Sequence, residues 1–255
     1  MNAAADVPQE IDPSLKLVLP GRGLAVGTGW TWVVEGWRLF MRAPLMWIVS
    51  IIVVFVIAIV MNFVPIIGTL AFQLAQGVFA GGFIAACRAL EKGGEFELEH
   101  LFSGFSKRFV PLLMVGVLLL LGWIAILLVF LVFAGFSLLP VLMAGDSSNT
   151  WATLAASMGS LAIGGLVALG LMVPLMAAYW FAPALVMMHD VKPVAAMKES
   201  FFACFRNFVP FLLYGLVMMV AAIVAVIPFG LGMLVWMPVA IGSTYAAYRQ
   251  IFTEG

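Results

Sequence analysis

The chain has 255 residues, of which 65% are hydrophobic and 9% charged, and its mean hydropathy is +1.18, far outside the range of soluble domains. A globule of this length still leaves roughly a quarter of its unfolded surface in water, so a fold in solution cannot hide so much apolar surface, and lipid must be the solvent. Twelve Lys and Arg balance twelve Asp and Glu, which removes the basic excess that a nucleic-acid partner requires.

The first residues carry Asp6, Glu10 and Asp12 and lack the basic start and apolar run of a secretory signal. They are expected to form a retained polar arm over residues 1–29. Beyond it, charged residues divide the chain. Arg42 and Arg88 enclose 45 uncharged residues, and Arg206 and Arg249 enclose 42. A helix rises about 1.5 Å per residue and the hydrocarbon core is about 30 Å thick, so each gap holds two crossings. Pro65 with Gly68, and Pro228 with Gly230 and Gly232, mark the turns. Between Arg108 and Asp190 the one charge is Asp146, in the polar cluster AGDSSNT, which reads as the outer loop of a third hairpin. The expected spans are Leu45 to Val64, Ile66 to Cys87, Val110 to Phe133, Leu161 to Met188, Phe208 to Ile227 and Phe229 to Tyr248.

Orientation follows from the basic residues. Lys16, Arg22, Arg38 and Arg42 precede the first span, and Arg88, Lys92, Lys107 and Arg108 separate the second and third. Lys192, Lys198 and Arg206 separate the fourth and fifth, and Arg249 follows the sixth. All twelve lie on one side, which the positive-inside rule makes cytoplasmic. The expected fold is therefore all-α and polytopic: six transmembrane helices as three hairpins, both termini in the cytoplasm. Cys87 and Cys204 fall near that side, where thiols stay reduced, and no disulfide is expected.

The hairpins resemble one another. WTWVVEGWRLFMRAP, LEHLFSGFSKRFVP and AAMKESFFACFRNFVP precede them, closing on Pro44, Pro111 and Pro210. Trp30, Val33, Val34, Trp37 and Met41 keep a helical spacing, as do Val194, Met197, Phe201, Cys204, Phe205 and Phe208, which predicts amphipathic helices in the membrane interface. The ends of the second and sixth spans, GGFIAACRAL and GSTYAAYRQI, align Arg88 with Arg249. The units are read as residues 30–90, 98–190 and 194–252 of one membrane domain over 30–255. Counting eleven residues back from Arg88, Arg249 and Leu185 gives Gly77, Pro238 and Pro174, a weak point at the same depth in each even-numbered span. Proline there frees a backbone carbonyl, which suits either a packing kink or a hinge.

With GWRLFMRAP, PIIG, LFSGFSKRFVP and FRNFVP, the chain resembles a group of uncharacterised bacterial inner-membrane proteins akin to the membrane domain fused to some glycerophosphodiester phosphodiesterases. The likeness runs roughly from Trp30 to Phe252. It implies a bacterial cytoplasmic-membrane location and lends no catalytic residues.

Reactive chemistry is sparse. The two histidines are His100 and His189, and neither sits in a metal or catalytic motif. His189 with Asp190 reads as a helix cap, and Glu95, Glu97, Glu99 and His100 read as a solvated face or helix start. No phosphate loop or nucleophile elbow is present, so no cofactor, no metal and no enzymatic activity are expected. The deepest polar side chains are Gln73 and Gln76, one turn apart, with Asn62 near the first turn; buried amides of this kind serve chiefly as packing glue. Gln73, Gln76, Gly77, Pro174 and Pro238 are the candidate intramembrane polar or hinge positions. The expected role is structural, in assembly or envelope maintenance, with transport or handling of a neutral or amphiphilic molecule as the alternative. Membrane lipids are the expected partners, together with a second copy or another membrane protein.

Overall fold

The computed structural model describes residues 15–143 and 150–254. In chain order the elements are β1 (Lys16–Leu17), α1 (Thr28–Arg42), α2 (Pro44–Asn62), α3 (Ile67–Glu91), α4 (Leu98–Lys107), α5 (Phe109–Met143), α6 (Thr150–Trp180), α7 (Ala182–His189), α8 (Pro193–Arg206), α9 (Phe208–Val226), α10 (Met233–Phe252) and β2 (Thr253–Glu254). The polar arm before Leu15 and the loop around Asp146 lie outside the described residues.

The protein is an all-α polytopic membrane protein. Five stretches are long and apolar enough to cross a bilayer: Pro44–Asn62, Ile67–Glu91, Phe109–Ser137, Ser157–His189 and Phe208–Val226. The expected sixth, α10, has 20 residues, but Ser243, Thr244, Tyr245, Tyr248, Arg249 and Gln250 lower the hydropathy of its second half.

Four boundaries differ most from the sequence expectation: α5 runs on to Met143 past Phe133, α6 begins at Thr150 ahead of Leu161, and two others have a local cause. The sixth helix begins at Met233, not Phe229, because Phe229 and Gly230 take φ of 53° and 80°, which an α-helix cannot contain. The fourth is broken at Phe181 into α6 and α7. Pro183 has no N–H for the carbonyl of Tyr179, and the Phe181 N–H turns outward to the Ser200 hydroxyl at 2.9 Å.

Two compact units divide the chain, residues 1–116 with 178–255 and residues 117–177. In the first, the helices preceding the apolar stretches do more than lie beside them. α1 packs along α10, α4 along α3 and α8 along α7. Each contact uses small residues. A Cβ on Gly36 would meet Ser243 and the Val239 carbonyl, and one on Gly104 would meet the Val78 carbonyl. Ala196, Ser200 and Ala203 are the buried side of α8. Large apolar side chains face away from these contacts: Trp30, Trp37 and Met41 of α1, and Phe202 and Phe205 of α8, are exposed. This partition is cleanest on α8, which turns Ala196, Ser200 and Ala203 inward, whereas α1 buries Trp32, Leu39 and Phe40 beside its glycines.

Trp47, fully buried, anchors the start of α2. Its indole N–H donates to the Leu39 carbonyl at 3.2 Å, and its ring stacks on Phe83 and meets Phe96 edge-on. The described chain ends are joined. β1 and β2 pair antiparallel, Lys16 opposite Glu254, and the Val18 and Arg22 N–H groups donate to the Phe252 and Ile251 carbonyls, both at 2.8 Å. Asn207 extends this seam: its carboxamide accepts from the Leu24 N–H and donates to the Arg22 carbonyl.

The second unit is an antiparallel pairing of the middle of α5 with α6. Gly122 faces Leu175 and Gly164 faces Phe133, while the Ser160 hydroxyl donates to the Phe133 carbonyl at 2.8 Å.

Candidate functional site

The largest concentration of charge among the described residues gathers where α1 meets the ends of α3 and α10. On α1, Glu35, Arg38 and Arg42 recur at three- and four-residue intervals and share a face, flanked by the exposed stripe of Trp30, Trp37 and Met41. From α3 come Arg88 and Glu91, and from α10 Tyr245, Arg249 and Gln250.

Glu91 is the hub. Its carboxylate accepts from Arg88 Nη1 and from the Tyr245 hydroxyl, each at 2.6 Å, and pairs with Arg249. Two guanidiniums thus share one carboxylate. Arg249 Nε is buried without a hydrogen-bond partner. A second chain runs through Gln250, which accepts from the Trp32 indole N–H at 3.0 Å and donates to Glu35 at 3.2 Å. Arg42 Nη1 donates to a neutral acceptor, the Leu90 carbonyl.

These side chains line a cleft of about 350 Å³ bounded by Glu35, Arg38, Arg42, Glu91, Tyr245 and Arg249. Arg42 and Glu91 also border a neighbouring cleft of about 670 Å³, continued by Lys92, Glu95 and Phe96. Both are polar and open. An apolar groove of about 540 Å³ lies along the other face of α1, where Trp30, Val33 and Trp37 meet Met218 of α9 and Val235 and Trp236 of α10.

The positions singled out from sequence fall on α3, α6 and α10. Gln76 donates to Gln73 at 3.2 Å within α3. Gly77 is a close-approach point, where a Cβ would lie 2.8 Å from the Leu112 carbonyl. Pro174 falls in α6 and Pro238, buried, in α10. None of the five lines the clefts or the groove above. Asn62 is bridged across the hairpin turn by the Thr69 hydroxyl at 3.0 Å.

His100, His189, Glu97 and Asp190 are engaged in capping and packing. Glu97 caps α4, its side chain accepting from the His100 backbone N–H while its own N–H donates to His100 Nδ1 at 3.1 Å, a capping box. His189 Nε2 lies 2.6 Å from the Tyr248 hydroxyl, and Asp190 ends α7 at φ 54° while pairing with Arg108 at 2.8 Å. Neither Cys87 nor Cys204 forms a disulfide. Among the described residues no three His, Cys, Asp or Glu side chains group as a metal site.

Sequence reasoning missed the role of Glu35, Glu91 and Tyr245. The available signal was the alignment of Arg88 with Arg249: two basic helix ends brought together need a shared counter-charge, and Glu91, one turn after Arg88, supplies it.

No protein-family model matches the chain, and no solved structure does. The chain is similar to a probable inner membrane protein of Burkholderia thailandensis, 32% identical over 249 residues that cover 88% of this chain and 91% of the relative. A likeness of that extent, on a chain built from apolar helices, makes this a multi-pass membrane protein that belongs to the family of that probable inner membrane protein.

Proposed function

We propose that the protein is a six-span protein of the bacterial cytoplasmic membrane, with both termini in the cytoplasm and a non-catalytic role in membrane structure, assembly or envelope maintenance. The observation that carries the topology is the pairing of the chain ends. Residues 16–22 hydrogen-bond to residues 251–254, so both ends share one side of the bilayer, and the number of crossings is even. Five apolar stretches are an odd number, so α10 is the sixth span. Its polar second half is sheltered by protein: Tyr245, Tyr248, Ile251 and Phe252 are almost fully buried. The even count agrees with the one-sided placement of all twelve basic residues.

The packing of α1, α4 and α8 on α10, α3 and α7 supports reading the chain as three related hairpins. Each entry helix lies on the second helix of the preceding unit, and α1 closes the series on the last. A body locked by backbone contacts at Gly36, Gly77 and Gly82 suits a scaffold better than an alternating-access carrier, in which packed helices must slide or rock. The resemblance to the membrane domain joined to some phosphodiesterases fits the same role, a membrane platform that supports another protein. Its partner is a second copy or another membrane protein, surrounded by lipid.

Native mass spectrometry of the protein extracted from its own membrane tests this reading. A self-assembled complex or a stoichiometric protein partner is the expected result. A monomer that turns over or transports a co-purified small molecule would overturn it.

Handling of an amphiphilic molecule is a second reading, favoured by the apolar groove of about 540 Å³ between Trp37 and Trp236. It predicts a co-purifying lipid or apolar compound that is lost when Trp37 and Trp236 are replaced by Ala.

A further inference from the structure

We propose that the cleft between α1, α3 and α10 binds a phosphate-bearing anion, held by Arg38 and Arg42 of α1 with Arg249 of α10. The ligand class follows from charge. In the cleft itself three guanidiniums (Arg38, Arg42, Arg249) face two carboxylates (Glu35, Glu91). Local pairing does not remove the surplus. One carboxylate, Glu91, serves both Arg88 and Arg249, Glu35 accepts from the neutral Gln250, and Arg42 donates to a carbonyl.

The second observation is geometric: Arg38, Arg42 and Arg249, brought from α1 and α10, border one cleft of about 350 Å³. A planar guanidinium fork suits phosphate oxygens better than a point charge does. Arg38 and Arg42 are exposed and so can approach a ligand without leaving the core. The carboxylates set the specificity: Glu35 and Glu91 on the same wall repel a ligand with surplus negative charge that does not reach the guanidiniums.

Two sources carry this chemistry, an anionic phospholipid headgroup and a soluble phosphate compound. Trp37 and Met41, exposed beside Arg38 and Arg42 on α1, give the site an apolar border of the kind that meets lipid.

The test uses the full chain in mild detergent, with native mass spectrometry against phosphatidylglycerol and phosphatidylcholine of matched acyl chains, and a separate titration with inorganic phosphate and glycerol 3-phosphate. The variant is Arg38→Gln with Arg42→Gln, and the charge-matched control is Lys107→Gln with Lys198→Gln. The expected result is preferential retention of the anionic lipid, reduced roughly tenfold in the arginine variant and not in the control. Saturable binding of the soluble phosphates without lipid preference, lost in the same variant, also upholds the phosphate site and assigns it to a soluble ligand. Equal retention of both lipids with no phosphate binding overturns the proposal, as does a loss of equal size in the lysine control. If the arginine variant does not fold, Arg38→Lys with Arg42→Lys replaces it: charge is kept and the fork removed, and unchanged binding there overturns the guanidinium assignment.

Discussion

Gly36 of α1 and Gly242 of α10 meet backbone to backbone: a Cβ on Gly242 would stand 3.0 Å from the Gly36 Cα, and one on Gly36 would run into Ser243 and the Val239 carbonyl. The helix that opens the chain is therefore seated on the helix that closes it at a distance only glycine permits. Backbone atoms cannot give way as a flexible side chain can, so Gly36→Val is expected to cost at least about 1–3 kcal/mol, the range for overpacking. Thermal unfolding in detergent, followed by size-exclusion chromatography, reads this directly.

Gly215 gives the opposite result. It sits mid-helix in α9 and a Cβ there meets nothing within 4 Å, so the substitution gains helix propensity without a clash. Gly215→Ala is expected to stabilise by up to about 1 kcal/mol. A fall in midpoint for Gly215→Ala, in the same assay, would mean that α9 is held differently.

Ile66, in the turn between α2 and α3, has φ 66°, where a β-branched residue is strained by roughly 1–2 kcal/mol. The change Ile66→Gly removes a side chain that is 74% exposed, so little packing is lost. A rise in stability of about 1 kcal/mol is expected, and a fall would show that the isoleucine side chain is buried by a neighbour.

The Cys204 thiol of α8 is pushed up to about 12 by burial, against which the Ser200 hydrogen bond acts weakly. The sign is simple: a raised pKa leaves the thiol protonated at neutral pH, and reactivity climbs as pH rises toward that value. In a Cys87→Ala background, maleimide labelling at pH 7.5 is expected to be slower than for an exposed cysteine by on the order of a thousandfold. It should quicken with each pH unit and become rapid on denaturation.

Reporter fusions check the parity of spans. A fluorescent protein after Glu254 and one inserted at Gly93 are both expected to be fluorescent in the cytoplasm, and alkaline phosphatase at Ile66 or at Gly230 active outside. An active phosphatase fused after Glu254 would mean five crossings, with α10 lying on the membrane instead of through it.

Much of the fold was legible along the chain because its signals are local. Long uncharged runs bounded by arginines demand helices of bilayer length, and Pro44, Pro65 and Pro210 act on their own backbone. The helices α1 and α8 follow from aromatic spacing alone. The break at Phe181 and the late start of α10 at Met233 were legible only in part: Pro183 and Gly230 are local signals, but the Phe181 N–H turns to the Ser200 hydroxyl and Phe229 takes φ 53°.

What the sequence by itself determined is the class of solvent, the helical elements and their approximate ends, because hydropathy, charge spacing and proline act over a few residues. What only the tertiary structure decided is which helix lies against which. Gly36 reads as one more glycine until Gly242 is opposite it. Arg249 reads as a topology signal until Glu91, 158 positions earlier in the sequence, is found to neutralise it. Contacts between distant segments depend on how helix faces match in shape and charge, and no window of neighbouring residues contains that information.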